Sequence, residues 1–293
     1  MQISTALLGL AAFTSLSVPP LAAEGKPLPW DGRGNDLVEA LLDDKYNTEI
    51  LTQRNGKSNG VPGDYVTIQS DGRSPAYNGD SGVIKIGVDS DAIYGTDKTA
   101  RRSELVQTIT ANPAGTTFFR ASIMKDKAFK YSLGWKVIFP QSNLFDIHVD
   151  AATDMPKVIF LTNDTEKAHW TSRIKVDTWY NFGIRVLPSD SGDGTKIEFY
   201  TSTGDEDLVL NVTTEVDMAV PTSYDMHYGL FTQTKSKAGP LMTTNQEIMA
   251  FNGVSVESEV VTAATVDVSD DSGSATSTAS DVGEESGLKV IAF

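Results

Sequence analysis

The 293-residue chain contains no cysteine, three histidines (His148, His169 and His227), and 24 basic residues against 39 acidic ones. Without cysteine there is no thiolate nucleophile, no thiolate metal site and no disulfide. The histidines show no H-x-H or H-E-x-x-H spacing. "DSDAIYG" (Asp89 to Gly95) lacks the regular acidic spacing of a calcium loop, and neither a glycine-rich phosphate loop nor a G-x-S-x-G elbow is present. No metal or cofactor is therefore expected, and metal-free acid–base chemistry remains. A formal net charge of −15 with no basic cluster beyond Arg101-Arg102 argues against nucleic acid and anionic membranes as partners. Past the N-terminus no apolar run approaches the ~18 residues of a membrane helix.

The opening "MQISTALLGLAAFTSLSVPPLAAEGKP" has an apolar stretch from Ala6 to Leu16, then Pro19-Pro20 and small residues. It reads as a signal peptide over residues 1–23, cleaved after Ala23, which predicts a secreted, extracellular protein. The sequons at Asn163 and Asn211 are compatible with N-glycosylation there. From about Ser258 the chain becomes rich in Ser, Thr, Ala and Asp. Residues 255–293 carry eight acidic side chains against one lysine. Residues 259–293 are expected to be a disordered, solvated tail. One domain, residues 24–258, remains, large enough to bury a core without disulfides. It is expected to act as a monomer.

That domain is dense in short β-branched and aromatic runs, such as "GVIKIGV", "TTFFRASIM", "KVIFLT" and "TKIEFYT", separated by Gly, Asp, Asn and Ser clusters. The pattern predicts an all-β, antiparallel sandwich of the jelly-roll class. Helical periodicity occurs only around "NDLVEALLDD", with Asn35 as a candidate cap.

Two strand-borne groups can carry chemistry. In "ARRSELVQTI", strand alternation puts Arg102, Glu104, Val106 and Thr108 on one face and Ser103, Leu105, Gln107 and Ile109 on the other. Arg102 and Glu104 are then either a surface salt bridge or the floor of a site where Arg tunes a catalytic carboxyl. In "YDMHYGLF", Met226, Tyr228 and Leu230 share a core face, while His227, Gly229 and Phe231 share the other. The missing side chain at Gly229 leaves room for a ligand ring. The bland alternative is a surface histidine.

Six stretches, in order over residues 28–258, together resemble glycoside hydrolase family 131: "WDGR", "RRSEL", "TWYNFGIRV", "FYTSTGDEDL", "DMHYGLF" and "AFNGVSVE". The resemblance implies a β-jelly roll with an open concave cleft. It also implies hydrolysis of β-1,3-, β-1,4- or β-1,6-linked glucan with inversion. By the same resemblance Glu104 is a catalytic carboxyl, His227 its cleft partner, and Arg102 part of the floor. One position departs: where the family carries a second glutamate in an F-x-E-S context, this chain reads "FPQS", with Gln141. An inverting hydrolase needs two groups flanking the water, and an amide takes no proton. Three outcomes stay open: Asp146 or another acid substitutes, His227 acts as base with Glu104 as acid, or the protein binds glucan without cleaving it.

With no intervening bulge, Trp135 has the strand parity of Gln141 and stacks on a sugar ring. Trp30, Trp170 and Trp179 are assigned to core or rim. The Arg-Ser-Glu-Leu strand also occurs in jelly-roll alginate lyases, but the partner strands depart here. "DIH" stands for Gln-x-His, and Lys235 occupies the tyrosine's place in "KSKAG".

Overall fold

The computed structural model describes residues 25–163, 165 and 167–265. The expected signal peptide lies outside the described residues, as do positions 266–293 of the expected tail. In chain order the elements are β1 (Trp30–Asp31), α1 (Leu42–Lys45), α2 (Glu49–Thr52), β2 (Val66–Gln69), β3 (Val83–Val88), β4 (Ala100–Thr110) and β5 (Thr117–Met124). There follow β6 (Gly134–Pro140), β7 (Phe145–Asp150), β8 (Lys157–Thr162), β9 (Trp170–Arg173), β10 (Tyr180–Pro188), β11 (Thr195–Thr203), β12 (Val209–Val216), β13 (Ser223–Gln233) and β14 (Glu247–Glu257). One sheet runs β12-β11-β10-β5-β14-β3-β2, with β1 added along β14, and the other runs β4-β13-β6-β7-β8-β9. Every pairing between these strands is antiparallel. This is the all-β jelly-roll sandwich that the strand pattern predicts.

The two sheets bury their facing side chains against each other. Leu105 and Ile109 of β4 and Met226, Tyr228 and Leu230 of β13 are at most 2% exposed, as alternation places them. Each fully buried aliphatic side chain contributes about 1.5–3 kcal/mol of transfer free energy. The opposite faces of β4 and β13 carry Arg102, Glu104, Asp225 and His227, and they form the floor of a cleft.

Three expectations need correction. The helix expected from Asn35 begins only with a 3-10 turn at Glu39–Leu41 leading into α1, and no side chain caps it. The backbone N–H groups of Gly34 and Asn35 donate to the buried carboxylate of Asp80, so the chain there wraps a side chain instead of starting a helix.

Trp135 is fully buried in the core and stacks on no ligand surface. The β6–β7 register shifts between Lys136 and Ile138, leaving Val137 as an extra residue. This bulge reverses the parity, turning Trp135 inward while Gln141 reaches the cleft.

The domain also extends past Ser258. The carbonyl of Ala263 accepts from Arg120, that of Ala264 from the backbone N–H of Asn78, and Ala264 is 7% exposed. Residues 259–264 therefore pack on the sandwich. The sequon residues Asn163 and Asn211 are both exposed.

Candidate active site

The cleft is a lattice of cross-strand neighbours. Between β4 and β13 the register pairs Arg102 with Phe231, Glu104 with Gly229, Val106 with His227 and Thr108 with Asp225. On the other side of β13, His227 pairs with Phe139 and Met226 with Pro140 of β6. One step further the Gln141 backbone N–H donates to the Asp225 carbonyl at 2.8 Å, setting these two residues opposite each other. A second wall comes from the segment leading into α2. The Asn47 N–H donates to the Val106 carbonyl at 2.6 Å, which brings Asn47, Glu49 and Ile50 against the edge of β4. The resulting open cleft has a volume of ≈ 370 Å³ and is lined by Arg102, Thr108, Gln141, Asp225, His227 and Tyr94 among others.

Beneath this floor lies a buried ionic cluster. Glu104 is fully buried. Its Oε2 accepts from His227 Nδ1 at 2.7 Å and from the Arg102 guanidinium, and its Oε1 accepts from Arg102 Nε at 3.2 Å. Burial pushes the Glu104 carboxyl up. The His227 hydrogen bond and the Arg102 charge outweigh it and hold the pKa below the ordinary carboxylate value. Glu104 is thus an ionised acceptor, and His227 keeps its Nδ1 proton directed at it. No partner engages the other ring nitrogen, Nε2, among the described residues, and His227 lines the cleft.

Aromatic rings fix these groups. Phe139 stacks on the His227 imidazole at 4.9 Å and 7°, and the Arg102 guanidinium lies 4.8 Å over the Phe231 ring. From below, buried Arg54 donates to the Arg102 carbonyl and, at 3.0 Å, to Ser103 Oγ. Burial lowers the Arg54 pKa to about 10.

Gly229 has a different role from the one its sequence suggests. A Cβ there would lie 2.1 Å from the Ser103 carbonyl oxygen and 2.7 Å from Glu104 Cα. The space beside His227 is occupied by Glu104 and its backbone, not by a ligand.

The structure therefore brings Arg102, Glu104, His227 and Gln141 together. Arg102, His227 and Gln141 line the cleft, whereas Glu104 sits behind them. Trp135 is absent from the site. Asp146, on β7, is buried, with Oδ2 3.7 Å from His148 Nδ1 and 3.9 Å from Lys136 Nζ. The Phe139 strand lies between it and His227. Sequence reasoning passed over Asp225, although it sits two residues before His227 and so shares its face. It also passed over Asn47, Glu49 and Tyr94, for which no local signal exists.

The comparisons with known proteins agree with this architecture. No curated protein matches the chain. Among solved structures, the GH131 β-glucanase catalytic domain from Podospora anserina superposes with a TM-score of 0.62 at 22% identity, over 80% of this chain and 97% of that one. The catalytic domain of the glycoside hydrolase family 131 protein from Coprinopsis cinerea gives 0.62 at 20% identity, over 81% and 97%. At these identities the likeness shows a shared fold. The family model for the glycoside hydrolase 131 catalytic N-terminal domain matches residues 28–262, nearly the whole described sandwich, and the chain belongs to that family.

Proposed function

We propose that this protein is a secreted hydrolase of β-linked glucans that works in the cleft over β4 and β13 and inverts the anomeric configuration. The observation that carries the reading is the Glu104–His227 hydrogen bond at 2.7 Å beneath an open polar cleft. It is supported by the family to which the chain belongs and by the β-glucanase name of the Podospora anserina neighbour.

In this reading His227 handles a proton through Nε2. Glu104 fixes the imidazole orientation and stabilises its charged form, as a carboxylate does behind a catalytic histidine. Glu104 is then a positioning residue, a different role from the substrate-facing carboxyl expected of it. Arg102 neutralises the buried carboxylate and presents its outer edge to sugar hydroxyls, and Gln141 orients a hydroxyl or a water.

Incubating the purified protein with β-1,3-, β-1,4- and β-1,6-linked gluco-oligosaccharides tests this. Sugar release with an α-anomer as first product is expected, and both His227→Ala and Glu104→Gln should lose it. A wild type that binds these glucans and cleaves none of them would establish a glucan-binding protein instead. The amide of Gln141, standing where a carboxylate is expected, favours that second reading.

A further inference from the structure

We infer that Asp225 is the second catalytic carboxyl group of this cleft, acting as the general base that Gln141 cannot be. The inference rests on the hydrolase reading above. Asp225 is exposed, lines the cleft and lies directly across from Gln141. A carboxylate expected on β6 is thus present one strand over, on β13.

Its placement relative to His227 suits inversion. Two residues apart on one strand, their side chains rise from the same face about 6.8 Å apart along the strand. Acid and base in inverting glycosidases are separated by roughly 6.5–9.5 Å. Thr108 Oγ1 donates to Asp225 Oδ1 at 2.6 Å. That bond fixes the carboxylate and leaves Oδ2 with no hydrogen-bond partner among the described residues.

The other candidate acids are placed differently. Glu49 lines the cleft from the α2 wall, off the strand that carries His227 and Asp225, and its Oε1 accepts the Tyr94 hydroxyl at 2.8 Å. Asp146 is buried beyond the Phe139 strand, beside His148 and Lys136.

The step balances as follows. A water held by Asp225 gives one proton to Oδ2, and its oxygen forms the new bond to the anomeric carbon. The glycosidic C–O bond breaks on the opposite side. Its electron pair stays on the leaving oxygen, which takes the proton from His227 Nε2. After product release, Asp225 returns its proton to solvent and His227 regains one.

The test uses Asp225→Asn, which retains an oxygen to accept from Thr108, together with Asp225→Ala and Asp146→Asn. Wild-type turnover on the gluco-oligosaccharides is measured first. If the wild type is inactive, the hydrolase reading fails and the role of Asp225 with it. Given an active wild type, Asp225→Asn should lower kcat by about 100- to 10,000-fold with unchanged circular dichroism. Azide should restore turnover to Asp225→Ala with an α-glycosyl azide as product, and Asp146→Asn should keep its rate. An Asp225→Asn enzyme within threefold of wild type would overturn the inference. So would an Asp225→Ala enzyme that ignores azide but regains its rate on a dinitrophenyl glycoside, which is the signature of a lost acid.

Discussion

Replacing Glu104 by Gln removes the negative charge from the centre of a buried cluster while conserving shape. The amide oxygen can still accept from His227 Nδ1, but the Arg102 guanidinium loses its counter-charge, and two charge-assisted hydrogen bonds become ordinary or are lost. Breaking one partner of a buried ion pair costs about 3–5 kcal/mol. The Arg102 side chain keeps 17% exposure, so water relieves part of the cost and the lower end, about 3 kcal/mol, applies. For a domain of this size that corresponds to roughly 6–12 °C in Tm.

The pH dependence has a definite sign. The folded pKa of Glu104 lies below its ordinary value of 4.5. Its ionised form therefore contributes stability above that value, and the contribution is lost as pH falls through the folded pKa. Urea unfolding of wild type and Glu104→Gln, followed by tryptophan fluorescence, should show a clear gap at pH 7, and the gap should narrow as pH falls below 4. A variant as stable as wild type at pH 7, or a gap that keeps widening below pH 4, would refute an ionised Glu104 held by Arg102 and His227.

Three further outcomes are expected. Gly229→Ala should be destabilised by more than about 1–3 kcal/mol in thermal melts, because its methyl meets rigid backbone at Ser103 and Glu104 with no room to yield. Trp135→Ala should lose about 3–5 kcal/mol from the core, while glucan affinity by calorimetry, measured well below the variant's Tm, stays at the wild-type value; a weakened affinity would return Trp135 to the cleft. Gln141→Glu places a second carboxylate opposite Asp225. The like-charge pair should raise the pKa of one of them, so the acid limb of the pH–kcat profile should move upward.

Much of the site is local information. Period-two alternation in "RRSEL" and "YDMHYGLF" placed Arg102, Glu104 and His227 away from the core, and the same rule places Asp225 with His227. Alternation fails where the backbone departs from a regular pleat. The single extra residue at Val137 sent Trp135 into the core while its parity partner Gln141 stayed in the cleft. Alternation also says nothing about what covers a face, which is why the depth of Glu104 beneath Arg102 and His227 was not foreseen.

By itself the amino-acid sequence determined the all-β sandwich, the absence of thiol chemistry, and which side of β4 and β13 carries charge. Those follow from residue type and a two-residue period, both of which act along the chain. Tertiary structure alone decided that Asp225 faces Gln141, that Gly229 makes way for Glu104, and that Asn47 and Glu49 wall the cleft. These depend on strand order and register, which are set by packing between segments distant in sequence. No local pattern encodes them.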